Sequence, residues 1–321
     1  MINNSDHPVN NKTAARVQEA VRQLNYEPNR MAQGLKNNKS RIIGVIVHDI
    51  SDSYFSEMVK GIEAVTFNYD YIVNIYNTSR NAAKEIKALK MLKANRAEAV
   101  IMTGGTLLDD DYNAEMKRLI PQLKGQGCRI LGVTTRPFDI MNIELGNYTA
   151  GYMITQHLIN RGHHRIAFVA GPDILKTSKE RLQGYKDALD NSGIAENKSR
   201  IIPGDFTFEG GRKAAEKIMD YSKTITAAAA SNDESGLGLM WQLRENGFTV
   251  PDDISVTGIG NIPSSRYAVP PLTTVNLPIY RLGKKIGEYI IRELKNGKSR
   301  PITSIKLNIK ERSSVKKIKP K

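Results

Sequence analysis

The sequence predicts an α/β protein with two doubly wound subdomains, preceded by a short helical segment. From about residue 40, short apolar strands alternate with amphipathic helices, and this alternation pauses once, near Gly162. The strands are rich in valine, isoleucine and alanine and lack polar alternation, which is typical of parallel sheets covered on both faces. Alternating strands and helices form right-handed crossovers. A chain of 321 residues is long enough to form two such units.

Strands are predicted at residues 42–47, 71–76, 99–102, 129–134, 166–170, 227–230 and 255–259. The helices between them include 54–67, 82–94, 150–160, 178–191, 210–219 and 234–245. In the second of these helices, Ala82, Ile86 and Leu89 share one apolar stripe that would pack on a sheet. Such sheets bind small molecules beyond the carboxyl ends of their strands, so we expect a ligand cleft between the two subdomains.

The first 40 residues follow a different pattern. Apolar positions at helical spacing predict one helix over 12–24, and Pro28 separates it from a second short segment at 29–36. The second segment contains Gly34, which costs about 1 kcal/mol inside a helix. Because so short a helix does not persist alone in water, this segment needs a partner.

Composition limits the class of protein. The formal net charge of +14 makes a polyanion a plausible partner, although the charge is spread along the chain. The basic segment 315–321 is predicted to be a solvated tail. The single cysteine, Cys128, excludes an internal disulfide, and no apolar run approaches the roughly 20 residues of a membrane span. No signal peptide is visible, so we expect a cytoplasmic protein with no membrane partner.

No catalytic signature stands out. Gly258-Ile259-Gly260 is half of a dinucleotide fingerprint, and the third glycine is missing. The five histidines show no metal-ligand spacing with Cys128, and there is no Gly-x-Ser-x-Gly elbow. The sequence therefore predicts neither an enzyme nor a cofactor or metal site.

Several segments, taken in order, match one family. They are LNYEPNRMAQGLKNNKSRIIGVIV, HLINRGHHRIAFVAGP, SKERLQGYKDAL, ASNDESGLGLM, VPDDISVTGIGN and PPLTTV. Each segment alone is a weak signal, but the ordered set resembles the LacI/GalR regulators of bacterial transcription. This resemblance implies a homodimer with a periplasmic-binding-protein-like core of type I. It assigns 41–162 plus 276–306 to the N-terminal subdomain and 163–275 plus 307–314 to the C-terminal subdomain, with 1–40 as headpiece remnant and hinge.

The amino-terminal end departs from the family pattern. In the family, a helix-turn-helix precedes the helix predicted at 12–24, and its second helix reads the major groove. Residues 1–4 resemble those that follow this second helix, so about twenty residues of the pattern are missing before them. A misassigned start, a shortened chain and a real loss of the motif would each explain the difference.

The resemblance assigns 29–36 to a hinge helix that forms when two copies pair on DNA. Leu35 would wedge between base pairs in the minor groove, or would alternatively cover the core of the free protein. Asn29, Arg30 and Gln33 would lie near phosphates or base edges. Two hinge helices alone bury less surface than specific regulators use. We therefore expect weak or no operator binding by this chain.

Arg181 occupies the position of the family's effector-clamping arginine; the alternative is a surface arginine at a helix start. A guanidinium suits this role because it donates paired hydrogen bonds to hydroxyls or a carboxylate. Asn232 and Asp233 follow the strand predicted at 227–230. Asn232 would offer a donor and an acceptor to a polyol, whereas Asp233 would either bind the effector or cap the next helix.

Aromatic residues and two missing acids complete the predicted pocket. Phe206 matches an aromatic that stacks on the effector, and Tyr54 and Phe55 match aromatics on the opposite wall. Phe55 alternatively packs in the core. Sugar-binding members carry acids where Gly260 and Gly146 stand here. The pocket is therefore predicted to be less negative and to take a sugar, a sugar phosphate or another anion.

Together these inferences predict a ligand-responsive transcription regulator, a repressor of carbohydrate-use genes whose operator binding changes with effector. The alternative is a headless sugar-sensing dimer in the cytosol that no longer binds DNA specifically. A transport-type solute-binding protein would share the core fold but would need an export signal.

Overall fold

The computed structural model describes residues 9–26, 39–221, 224–297, 300–302 and 305–318. The predicted hinge residues Asn29, Arg30, Gln33 and Leu35 lie outside the described residues. Helix α1, Asn11–Gln23, is within one residue of its predicted bounds, and none of its residues is buried.

The first sheet contains β1 Ile42–Val47, β2 Ile72–Asn77, β3 Ala99–Met102, β4 Arg129–Gly132 and β5 Met141–Asn142. Its strands are all parallel, in the order β2-β1-β3-β4-β5. The second sheet contains β6 Ile166–Val169, β7 Ile201–Ile202, β8 Ala227–Ala230, β9 Ser255–Gly260, β10 Thr273–Asn276 and β11 Asn308–Lys310. Its order is β11-β10-β9-β8-β6-β7, and β11 runs antiparallel to β10 while the other pairs are parallel.

The remaining helices are α2 Ser53–Thr66, α3 Ala82–Ala94, α4 Asp110–Gly125, α5 Asn147–Asn160, α6 Lys176–Asp190, α7 Phe208–Asp220, α8 Asp233–Glu245, α9 Ser264–Tyr267 and α10 Ile279–Asn296. Short 3₁₀ turns follow at Phe67–Tyr69 and Lys198–Arg200. Helices join most of the parallel strands in both sheets, so the predicted fold class is confirmed. Among the described residues, no helix is long and apolar enough to span a membrane.

Three helix pairs pack closely: α2 with α10, α5 with α6, and α7 with α8. In each pair, a glycine on each helix lies against the backbone of the other; these are Gly61 and Gly283, Gly151 and Gly184, and Gly211 and Gly238. A Cβ added at Gly184 would lie 2.2 Å from the carbonyl oxygen of Tyr148, and one at Gly151 would lie 2.1 Å from that of Arg181. The helices approach this closely because a side chain is missing at both contact points.

We call the first sheet with α2, α3, α4 and α10 the first lobe, and the second sheet with α5 to α9 the second lobe. Helix α5 packs against α6 and contacts β8, β9 and β10. The sequence-based boundary at residue 162, which placed α5 in the N-terminal subdomain, is therefore wrong for this helix. The pause near Gly162 marks the entrance to β6, whereas the chain has already crossed between lobes before Asn147.

The two lobes also touch directly, through a pairing of residues 106–108 with 174–176 that we call the interlobe bridge. Leu107 and Leu175 form an isolated antiparallel bridge. The amide of Leu108 donates to the carbonyl of Ile174 at 2.8 Å, and the amide of Lys176 donates to that of Thr106 at 3.1 Å. Both bridge leucines are fully buried. The bridge therefore holds the two lobes in direct contact.

The segment predicted to be a solvated tail is part of the second lobe as far as residue 318. Ser314 is fully buried, and its carbonyl accepts from the amide of Val256 at 2.9 Å. The amide of Lys316 donates to Ser255 Oγ at 3.1 Å, and the amide of Ile318 donates to the carbonyl of Arg161, just after α5, at 2.7 Å. The charge pattern did not reveal this docking, because most of these bonds are made by backbone groups, joined by the Lys316 side chain, which donates to the carbonyl of Asp252.

Candidate functional site

A cavity lies between the lobes, at the carboxyl ends of their parallel strands. All six predicted effector residues line it: Tyr54, Phe55, Arg181, Phe206, Asn232 and Asp233. The lining also includes polar residues that the sequence analysis did not single out, among them His48, Asp52, Arg80, Thr103, Thr134, Thr177 and Glu234. The carboxyl edge of parallel strands is where α/β sheets bind ligands.

The aromatic residues come from both lobes. Tyr54 and Phe55 are in the first turn of α2, with ring centroids 4.9 Å apart and planes at 87°. Phe55 is 6% exposed and packs in the core as well as lining the cavity, so both proposed roles have a structural basis. Phe206 lies on the second lobe with φ of +67°, a strained conformation for an aromatic residue.

Arg181 is buried and held firmly by its own lobe. Its Nε and Nη2 donate to Asn147 Oδ1 at 3.2 and 3.0 Å, and its Nη1 donates to the carbonyl of Ser231 at 2.5 Å. The guanidinium carbon lies 5.7 Å from the centroid of the Phe206 ring. Burial lowers the pKa of Arg181 from its ordinary value, but a guanidinium stays charged in proteins. The group is preorganised, with most of its hydrogen bonds made to protein.

The Asn232 side chain is used mainly for hydrogen bonds within the protein, and not as the predicted donor and acceptor for a ligand. Its Oδ1 accepts from the amide of Ser235 at 3.1 Å and caps α8, while its Nδ2 donates to the carbonyl of Phe206 at 2.8 Å. The helix cap is thus Asn232 and not Asp233. Asn232 fixes the strained Phe206 backbone and keeps only one N–H for a ligand, because the other is already used.

Asp233 is buried and bonded within the second lobe. One carboxylate oxygen accepts from Thr274 Oγ1 at 2.5 Å and the other from the amide of Ile262 at 2.9 Å. Burial raises the pKa of Asp233 to about 6, against the opposing effect of these hydrogen bonds. A Cβ added at Gly260 would lie 3.4 Å from Asp233 Oδ2. An acid at position 260 would therefore place a second carboxylate against this one.

Three acidic side chains line the cavity, while the call that Gly146 and Gly260 make it less negative than in sugar-binding members stays a prediction. Asp52, Asp233 and Glu234 all line the cavity, and each lies at the start of a helix. Glu234 has no hydrogen-bond or ion-pair partner in the described part of the chain. Burial, followed by the nearby carboxylates of Asp52 and Asp233, raises its pKa to about 7. Asp52 and Glu234 were not predicted, because only the packing of the two lobes brings both helix starts together.

Arg80 comes from the turn that follows β2. Ser79 and Arg80 both adopt left-handed backbone conformations, with φ of +54° and +58°. For non-glycine residues this costs of order 1–3 kcal/mol each. The Nε of Arg80 is buried and lacks a hydrogen-bond partner among the described residues. Its place after a parallel strand, at the ligand edge of the sheet, is the signal that could have identified it.

Behind the cavity lies a buried polar network. His48 Nε2 is 3.8 Å from Glu85 Oε2, while Glu85 Oε1 accepts from Tyr112 Oη at 2.8 Å and Arg136 Nη1 at 3.3 Å. Burial lowers the pKa of His48, so the ring stays neutral near pH 7. Burial opposes ionisation of Glu85, but Arg136 and His48 outweigh it and lower the pKa of Glu85. Within the described ranges, no cluster of three or more His, Cys, Asp and Glu side chains is arranged to hold a metal.

Residues 40–312 match the family described as periplasmic binding proteins and sugar binding domain of the LacI family. The chain belongs to the LacI family. The resemblance read from the sequence segments is therefore confirmed, and the two lobes of this LacI-family chain are those of the family's effector-binding core.

Two relatives and one solved structure illustrate this membership. The chain is 32% identical to the HTH-type transcriptional repressor CytR of Escherichia coli K12 over 277 residues, covering 86% of this chain and 80% of CytR. It is 33% identical to the HTH-type transcriptional repressor PurR of Vibrio cholerae strain M66-2 over 309 residues, covering 95% of this chain and 89% of PurR. A LacI family transcriptional regulator from Enterococcus faecium with bound ribose has a TM-score of 0.74 at 25% identity, covering 87% of this chain and 100% of that one. All three are named as regulators of transcription.

Proposed function

We propose that this chain is a ligand-responsive transcription regulator, a homodimeric repressor of carbohydrate-use genes in the bacterial cytoplasm. Its effector would be a sugar or sugar phosphate, bound between the lobes, that changes the affinity for operator DNA. The observation that carries this proposal is one cavity lined from both lobes, with aromatic side chains on both sides and a preorganised Arg181. The repressor names of the relatives and the ribose-bound structure support it.

The proposed mechanism is a shift between closure states. A ligand that contacts both lobes favours the closed arrangement and so alters the spacing of the amino-terminal ends of a dimer. The coupling is large only if the ligand binds the closed and open states with different affinities. The interlobe bridge supports this mechanism, because it is a contact between the lobes that would be lost if residues 106–108 and 174–176 moved apart.

The exposed helix α1 supports a role in assembly on DNA. Val17 and Val21 lie on one face and are only partly covered, and Leu24 after the helix is 76% exposed. An apolar face of this kind needs a partner. We propose that the partner is supplied when two copies pair at an operator.

The test combines calorimetry with DNA binding. Ribose, glucose and their phosphates are titrated into the 321-residue chain, and fluorescence anisotropy follows a labelled fragment from upstream of its gene. The DNA arm also includes a longer product that begins at in-frame upstream codons. We expect one ligand to bind and to change the operator affinity of the longer product at least about tenfold, within the range of typical coupling energies.

The outcomes separate the candidates. Ligand binding with no effect on DNA affinity in either form would favour the headless sensor. If no sugar or sugar phosphate binds measurably and no sequence-selective DNA binding is detected, the proposal is contradicted.

A further inference from the structure

Arg80 is the one cavity arginine that the described protein leaves without hydrogen-bond partners. Arg181 donates to Asn147 and Ser231, whereas Arg80 makes no hydrogen bond or ion pair in the part of the chain that is described, and its Nε is buried. The left-handed turn at Ser79 and Arg80 places this side chain at the cavity wall. A guanidinium is the side chain best suited to paired hydrogen bonds with a carboxylate or phosphate.

Glu234, on the second lobe, is likewise a charged cavity side chain without a hydrogen-bond partner among the described residues. It lines the same cavity, and within the described residues nothing donates a hydrogen bond to it. Its electrostatic neighbours are Asp52, Asp233 and Asp49, all acidic. A carboxylate in this position lacks a donor, and a hydroxyl group on a ligand would supply one.

The two groups reach the cavity from opposite lobes. Arg80 follows β2 of the first lobe, whereas Glu234 lies in the first turn of α8 in the second lobe. Asp52, the other acid from the first lobe, already accepts from the amide of Tyr54 at 2.9 Å as the cap of α2. A ligand that satisfies both groups therefore has an acidic group at one end and hydroxyl donors at the other.

We propose that Arg80 and Glu234 determine specificity, and that the effector is an anionic polyol whose carboxylate or phosphate binds Arg80 while a hydroxyl donates to Glu234. This inference rests on the proposed function, because it names the chemistry of the ligand in the same cavity. It assigns charge recognition to Arg80, while Arg181 positions the ring of the ligand beside Phe206.

The test uses matched neutral and acidic ligands in calorimetry at pH 7. The pairs are glucose with glucuronate, glucose with glucose 6-phosphate, and ribose with ribose 5-phosphate; inorganic phosphate is a further probe. We expect at least one acidic member to bind about tenfold or more tightly than its neutral partner. The uronate and phosphate arms show which acidic group is preferred.

Variants assign the preference to residues. Arg80→Gln should reduce the affinity for the acidic ligand about tenfold or more and leave the affinity for its neutral partner unchanged. Arg80→Lys should give an intermediate affinity for the acidic ligand, because lysine keeps the positive charge but cannot donate the paired hydrogen bonds of a guanidinium. Glu234→Gln should weaken both members of a pair. Lys84→Gln, at an exposed lysine one turn further along, is the matched control and should change neither. Thermal melting checks that each variant is folded.

Equal or tighter binding of the neutral member overturns this proposal but leaves the proposed function standing. The same holds if Arg80→Gln keeps the acidic preference. If no ligand binds at all, the proposal and the effector part of the proposed function both fail.

Discussion

Glu234 shows how one residue can make stability depend on pH. Burial raises the pKa of Glu234 to about 7 from an ordinary value of 4.5, so the folded protein holds this proton more tightly than the unfolded chain. The carboxyl therefore weakens the fold as the pH rises from about 4.5 to about 7, and the loss is complete above that range.

We expect Glu234→Gln to raise the melting temperature at pH 8 and to leave it unchanged at pH 4.5, because glutamine resembles the protonated acid. Thermal unfolding at both pH values measures this. Glu63→Gln, on an exposed face of α2, serves as control and should show no such difference. A gain for Glu234→Gln of equal size at both pH values would show that ionisation is not the cause.

Asn232 joins two functions in one side chain, a helix cap and a bond to the strained Phe206. Asn232→Ala should lower the free energy of unfolding by about 1–3 kcal/mol, because it removes the cap and leaves a buried carbonyl unpaired. Asn232→Ser keeps a capping oxygen but is too short to reach Phe206, so we expect an intermediate loss. Urea denaturation compares the two; equal losses would mean that the cap contributes nothing.

At the scale of elements, the facing glycines predict an unusual response to alanine. Alanine normally favours a helix over glycine by about 1 kcal/mol, but at Gly184 its Cβ would meet the backbone of α5. We expect Gly184→Ala to destabilise the protein by about 1–3 kcal/mol through overpacking. Gly125→Ala, at the end of α4 where nothing lies within 4 Å, should be neutral or stabilising. Chemical denaturation of both variants tests this, and a stabilised Gly184→Ala would contradict the close packing.

The interlobe bridge can be weakened at a position that tolerates proline. Lys176 is the first residue of α6, where proline fits a helix, and Leu175 before it has the extended conformation that proline requires. Lys176→Pro removes the donor to Thr106, so we expect more open lobes and a larger radius of gyration in small-angle scattering. Lys176→Ala keeps the amide and should scatter like the unaltered chain. Equal radii for both variants would show that the bridge does not hold the lobes together.

The elements that could be predicted from sequence were those with strong local patterns. The bounds of β1, β3, β8 and α3 agree with prediction, because buried apolar runs and amphipathic stripes are local signals. The strands β5, β7 and β10 were not predicted as strands, because β5 and β7 have only two residues each and Thr273–Asn276 is mostly polar. The crossing before α5 was missed because it depends on Gly151 meeting α6, a contact between distant segments.

At the scale of the molecule, the resemblance identified six residues of the cavity but missed several of its charged side chains. The six predicted effector residues converge, yet Asn232 is mostly used within the protein. Arg80 lies outside the matching segments, and Glu234 lies inside one but was given no role there, so both were identified only when the two lobes were placed together. The sequence segments therefore identified where the ligand site lies, whereas the set of charged groups in the site became visible only in the three-dimensional structure.

The order in which the chain visits the two lobes has a consequence for its synthesis. Helix α10, which packs on the first lobe, and β11, which completes the edge of the second sheet, both follow residue 278. A growing polypeptide therefore leaves the ribosome with the first lobe lacking its covering helix α10 and the second sheet lacking β11, and both are completed only at a late stage. Until then, the edge of β10 and the face of α2 are open to other proteins, and shielding by chaperones would matter most in this interval.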